Sequence, residues 1–256
     1  MLDLVIRDAQ VFDGLGSAPV HADVGVQDGV VTQIGRLSER AQQEVSAQGL
    51  SLMPGIVDLH THFDAQVTWD PSLSPSPGLG VTTAVMGNCG FGIAPCPAPL
   101  RETMIKNLSV VEGMDLHALR TGIQWEFESF ADYLQQLRRI GPYLNTAVFA
   151  GHSVLRTAVM GEAGSTQVEP TDDQLATMCQ LFRESMADGA IGLAGDLARL
   201  KRQGAAAPFE ALFVNIEHFR FSFVIAREPD RFGPSLWSPY GTLPGGSSSS
   251  TKQSNG

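Results

Sequence analysis

The sequence predicts an α/β fold: a short amino-terminal β segment followed by the first four strands of a TIM-type (β/α) barrel. Three observations carry this. Through the first fifty residues, apolar side chains alternate with polar ones, the period of half-buried strands. Beyond Pro54, short apolar runs alternate with amphipathic helical stretches, a pattern that implies a parallel sheet. The spacing also fits, because a whole barrel takes roughly 250 residues, about 31 per strand-helix unit. The stretch of about 140 residues from Gly55 to Leu193 holds four strand-like runs. Three segments result: 1–53, an amino-terminal β-sandwich segment; 54–193, the amino-terminal half of the barrel; and 194–256, a divergent tail.

The elements follow in order. Leu2, Leu4 and Ile6 alternate with polar neighbours and read as a strand. Ala22 to Gln27 and Val30 to Ile34 flank Asp28-Gly29, a strong hairpin signal. Pro54-Gly55 turns the chain into the first barrel strand, Gly55–His60, and Leu79–Met86 reads as the second, a buried one. Ser129 is placed to cap a helix whose apolar stripe is Phe130, Tyr133, Leu134, Leu137 and Ile140, stopped by Gly141-Pro142. Asn145–Ala150 is the third strand. Thr171-Asp172-Asp173-Gln174 forms a capping box before a helix with Leu175, Met178, Cys179, Phe182 and Met186 on one face. Gly189 ends that helix and Ala190–Leu193 is the fourth strand. In the tail, Phe219, Phe221 and Phe223 alternate as in a short strand, and the Pro-, Gly- and Ser-rich stretch from Pro234 onward reads as disordered.

Composition excludes several function classes. A formal charge of −10 argues against a nucleic-acid surface. No run of 18 apolar residues is present, so no membrane span is expected. Met1-Leu2-Asp3-Leu4 lacks the basic start of a signal peptide, and three cysteines do not make a disulfide framework. The expected location is cytoplasmic. A hydrophobic content of 43% suffices for a core.

The chemistry lies in Asp58-Leu59-His60-Thr61-His62-Phe63-Asp64. Side chains two apart share a strand face, so His60 and His62 point the same way at a strand's carboxyl end. Two imidazoles on one face form half of a divalent-metal site. The second strand runs into Gly87-Asn88-Cys89-Gly90, which sets a thiol at its end. A thiolate there is a soft, strong ligand able to bridge two ions. Taken singly, the histidines could be half-exposed strand residues and Cys89 a buried structural thiol. Cys96 and Cys179 read as structural.

These residues resemble one family. Pro54 to Asp64, Gly80-Val81-Thr82-Thr83 and Gly87-Asn88-Cys89-Gly90 are similar to the N-acyl-D-amino-acid deacylase (D-aminoacylase) branch of the amidohydrolase superfamily. So are Gly151-His152-Ser153-Val154-Leu155-Arg156 and Asp188-Gly189-Ala190-Ile191-Gly192-Leu193. The similarity runs from near Leu2 to near Leu193. His-x-His fits many amidohydrolases, whereas the Asn-Cys-Gly turn is much more specific to this branch. The resemblance implies a metal-dependent-hydrolase barrel with zinc as cofactor. It also implies His60, His62 and Cys89 as metal ligands, Cys89 in the bridging place, and a small-molecule N-acyl-D-amino acid as substrate. His152 would shape the site without binding metal.

Departures from the family set the remaining expectations. Gly78-Leu79 stand where relatives often carry a Trp-His-like pair. His21 and His117 lie off the site, His218 is the single tail candidate, and no catalytic proton carrier is identifiable: Asp196 and Asp230 sit in loop-like contexts. Two readings follow: a zinc-dependent hydrolase that removes the acyl group from N-acyl-D-amino acids, or a catalytically inactive, truncated form of one. On the second, any zinc is held weakly and the isolated chain does not turn over substrate. A dihydroorotase- or hydantoinase-like cyclic amidohydrolase is the alternative within the superfamily, and the Asn-Cys-Gly turn argues against it. Neither the acyl group nor the D-residue is named by these motifs.

Overall fold

A computed structural model describes residues 1–166, 169–195, 223–227 and 238–239. The amino-terminal unit is built on β1 (Leu2–Val11), which pairs antiparallel with β2 (Val20–Gln27). β2 pairs with β3 (Val30–Gly35) across the expected Asp28-Gly29 turn. Both turn residues have positive φ, 52° and 76°, as the tight hairpin loop demands. On its other side β1 pairs parallel with β4 (Ala41–Ser46) over its first half and with β5 (Leu50–Pro54) at Gln10 and Val11. The expected sandwich segment is thus one continuous hydrogen-bonded sheet, closed over Ile6, Ala9, Val11, Ala22, Val24, Ala47 and Leu52.

The stretch that follows, to Ala194, carries four parallel strands in sequence order. β6 (Ile56–Thr61) pairs with β7 (Val81–Met86), and β7 with β8 (Asn145–Val148). The third strand breaks at Phe149 and resumes as β9 (Ala150–Gly151), which pairs with a two-residue fourth strand, β10 (Leu193–Ala194). The hydrogen bond from Ile191 N to Val148 O (3.0 Å) carries the pairing across the break. Parallel pairing of the first two strands agrees with the barrel expectation.

Helices join these strands. After β6 comes the single turn α1 (Phe63–Gln66). Between β7 and β8 lie α2 (Arg101–Glu112), α3 (Leu116–Gly122) and α4 (Phe130–Ile140). α5 (His152–Met160), α6 (Ala163–Thr166) and α7 (Asp172–Asp188) precede β10. The predicted caps are present: Ser129 with Asp132, and Thr171 with Gln174, each form a reciprocal capping box. Phe130, Tyr133 and Leu137 of α4 and Met178 and Phe182 of α7 enter one large core with Ala84, Met86, Val148 and Leu155. The Tyr133 hydroxyl donates to Asp64 O (3.0 Å), tying α4 to the turn after β6.

Three differences from the sequence expectation are physical. The second strand begins at Val81, because Ser76–Leu79 coils into a 3₁₀ turn ending at Gly80. The fourth strand starts three residues later than expected, since Ala190 N still bonds back to Ser185 O at the end of α7. β6, an apolar run in the sequence, leaves Ile56, Val57 and Leu59 41%, 48% and 64% exposed. Within the tail, β11 (Phe223–Arg227) pairs antiparallel with β5, and β12 (Ser238–Pro239) with β11. The expected disorder from Pro234 onward otherwise falls outside the described residues.

Candidate metal centre

The Asn-Cys-Gly turn is the point where all four strands meet. Gly90 N donates to Gly87 O (3.0 Å), closing the turn, and Asn88 Nδ2 donates to Leu59 O (2.7 Å), fastening it to β6. Ser153 N donates to Gly90 O (3.0 Å), fastening it to the start of α5. Gly90 has φ 91°, and a Cβ on it would lie 2.9 Å from Gly195 Cα. A Cβ on Gly151 would lie 2.5 Å from Gly90 O. Bare backbone on both sides is therefore what lets the turn seat between β9 and β10. Cys89 is held at the strands' carboxyl ends, where sites of such folds lie.

His60 belongs to β6, whereas His62 is one residue past it, at the start of α1 with φ −117° and ψ 42°. The two rings nevertheless face each other, with centroids 5.3 Å apart. One ligand atom from each of His60, His62 and Cys89 lies within 4.8 Å of the others. Nε2 of His62 is 3.7 Å from Cys89 Sγ. The three residues expected from sequence are thus brought together. His60 is exposed; His62 and Cys89 are half-buried.

Two carboxylates that sequence reasoning missed complete the surroundings. Glu112, the last residue of α2, places Oε2 3.1 Å from His62 Nε2 and Oε1 3.6 Å from Cys89 Sγ. The signal available for α2 was Met104, Ile105 and Leu108 at helical spacing before Gly113, but nothing local marks its last residue as a ligand. Asp64 is fully buried, with Oδ2 lacking a hydrogen-bond partner among the described residues. Burial pushes its carboxyl up to about 7, with the neighbouring Glu112 charge adding to the effect. Burial likewise pushes the Cys89 thiol up and the His62 imidazole down, each favouring its neutral form. Nδ1 of His62 is buried without a hydrogen bond among the described residues.

The other candidates separate from the site. His21 and His117 are exposed on β2 and α3. His152 is buried at the start of α5, directly after β9. Cys96 is fully buried, and burial raises its thiol to about 12, in keeping with a structural role. His218, Asp196 and Asp230 lie outside the described residues.

Two imidazoles and a thiol within reach of one another fit a borderline-soft ion such as zinc, whose preferred donors are nitrogen and sulfur. Comparison with known proteins gives the same direction. The model of the amidohydrolase family matches residues 43–219. The D-aminoacylase of Alcaligenes xylosoxydans xylosoxydans is 38% identical over 197 residues, 75% of this chain and 37% of that protein. The N-acyl-D-aspartate deacylase of the same organism is 31% identical over 192 residues, 75% of this chain and 36% of its own length. The crystal structure of a D-aminoacylase superposes with a TM-score of 0.64 at 33% identity, covering 76% of this chain and 38% of the other. The zinc- and phosphonate-bound N-acyl-D-glutamate deacylase of Bordetella bronchiseptica superposes with a TM-score of 0.65 at 28% identity, covering 81% and 42%. The chain thus spans little more than a third of the length of these curated relatives. It belongs to the amidohydrolase family, on the side of the D-aminoacylases.

Proposed function

We propose that residues 54–194 are the metal-binding, amino-terminal half of a (β/α) barrel of the D-aminoacylase kind, and that His60, His62 and Cys89 hold a zinc ion. The observation that carries this is the convergence of their ligand atoms within 4.8 Å at the carboxyl ends of β6 and β7. Further support comes from the relatives: a D-aminoacylase is described with a binuclear metal centre and an N-acyl-D-glutamate deacylase with zinc. Zinc in such a donor set supplies Lewis-acid polarisation of an amide carbonyl. This chain's own residues bind and orient: β6 and the turn after β7 fix the donors, and Asn88 locks the two together.

The reaction that the family likeness points to is hydrolytic removal of the acyl group from an N-acyl-D-amino acid. Among the described residues, the groups at the centre come from β6, the turn after β7, and the starts or ends of α1 and α2. Metal binding is therefore the property proposed for this chain itself. Equilibrium dialysis of the full chain against zinc, followed by elemental analysis, tests the reading. Wild type should retain zinc, and His60→Ala and Cys89→Ala should each lose most of it. Equal zinc in all three would end the proposal. A panel of N-acetyl-D-amino acids assayed with added zinc separates the two functional readings, because turnover abolished by His62→Ala assigns hydrolysis to this chain.

A further inference from the structure

Helix α2 ends on an acid in a place where an acid does nothing for the helix. The carboxyl-terminal turn carries the negative end of the helix dipole, so a carboxylate there is mildly unfavourable, and no basic residue shares the last turn. Glu112 is nevertheless four-fifths buried, its oxygens directed at His62 and Cys89. Three of the distances can be compared with a coordination polyhedron. Donors around one tetrahedral zinc, bound at about 2.0–2.3 Å, lie about 3.3–3.8 Å from one another. Here Glu112 Oε2 to His62 Nε2 is 3.1 Å, Glu112 Oε1 to Cys89 Sγ is 3.6 Å, and Cys89 Sγ to His62 Nε2 is 3.7 Å. The Glu112 carboxylate thus spans the two groups, one oxygen facing His62 and the other Cys89, at distances close to those edges.

We infer that Glu112 is a carboxylate ligand that joins His60, His62 and Cys89 in holding zinc, all four lying within the first two strand-helix units. The inference rests on the metal reading above and sharpens it. The first two units would then hold one zinc ion more firmly than His60, His62 and Cys89 do without Glu112. Carboxylate, imidazole and thiolate are all ordinary zinc ligands. Two negative donors also compensate the ion's double charge.

The test uses the full chain, zinc dialysis and cobalt(II) as a spectroscopic substitute. Glu112→Gln should weaken zinc by at least about tenfold. It should also diminish the intense visible absorption of tetrahedral cobalt(II). Glu102→Gln, which removes equal charge from the other end of α2, should change neither. Glu112→Gln relieves the unfavourable charge at the helix end, so the apo variant should keep its circular dichroism spectrum. Unchanged affinity and spectrum in Glu112→Gln, with zinc still lost in His62→Ala, would overturn the Glu112 assignment and leave the three-residue reading intact. Equal weakening in Glu102→Gln and Glu112→Gln would overturn it too, as an effect of net charge. Zinc binding that none of the four site residues alters would overturn both.

Discussion

Single residues differ in how far their roles are local. His60 and His62 were legible because two imidazoles two positions apart share a strand face and precede a distinctive turn that carries Cys89, and the three come together in space. Glu112 and Asp64 were not. Glu112 reaches the site only through the length and direction of α2, and Asp64 is enclosed only once α4 packs on the turn after β6. Asp23 shows the same dependence away from the site. Partial burial pushes its carboxyl up, but backbone N–H groups of Asp8 (2.9 Å) and Leu37 (3.1 Å) and the Arg7 guanidinium (3.2 Å) together hold it below the usual range. Its charged form therefore stabilises the fold above the ordinary aspartate value near 4, and that contribution is lost as pH falls through the lower folded value. Asp23→Asn should lose about 1–2 kcal/mol at pH 7 and less toward pH 3, read from urea unfolding at both pH values. An equal deficit at both would contradict this account.

Elements were legible where their ends carried chemistry. The predicted Ser129 cap and the predicted Thr171 capping box are both reciprocal boxes, because a hydroxyl and a carboxylate or amide three residues apart satisfy the same two orphan N–H groups in any context. Ser129→Ala should thus cost about 1 kcal/mol of stability, visible as a lower urea midpoint, and Ser129→Asp should restore most of it. α2 and α3 carry weaker signals: Leu100 makes no side-chain cap for α2, and α3, although Asp115 caps it through Ala118 N (2.7 Å), is only seven residues long. Strand limits moved where neighbours decide them. Gly192 O accepts from Ala150 N, but regular pairing of the fourth strand begins only at Leu193.

For the whole molecule, the strand-helix alternation and the order of four parallel strands followed from periodicity alone, since a crossover helix between strands leaves little choice but a parallel sheet. What periodicity could not supply is which faces are covered. Among the described residues β6 pairs only with β7, and Ile56, Val57 and Leu59 stay exposed on it. An apolar, half-paired strand of this kind is a template for association. Val57→Lys should accordingly lower concentration-dependent light scattering while leaving circular dichroism unchanged; scattering that does not respond would place any association elsewhere.

The central claim is that β6 and the turn after β7 together make a metal centre with nitrogen and sulfur donors. X-ray absorption at the zinc edge, on the full chain loaded with one equivalent of zinc, tests it most directly. The account predicts one sulfur neighbour at about 2.3 Å beside imidazole nitrogens and oxygen at about 2.0–2.2 Å, with the sulfur neighbour gone in Cys89→Ser. A zinc ion surrounded by oxygen and nitrogen alone in the wild-type chain would contradict it.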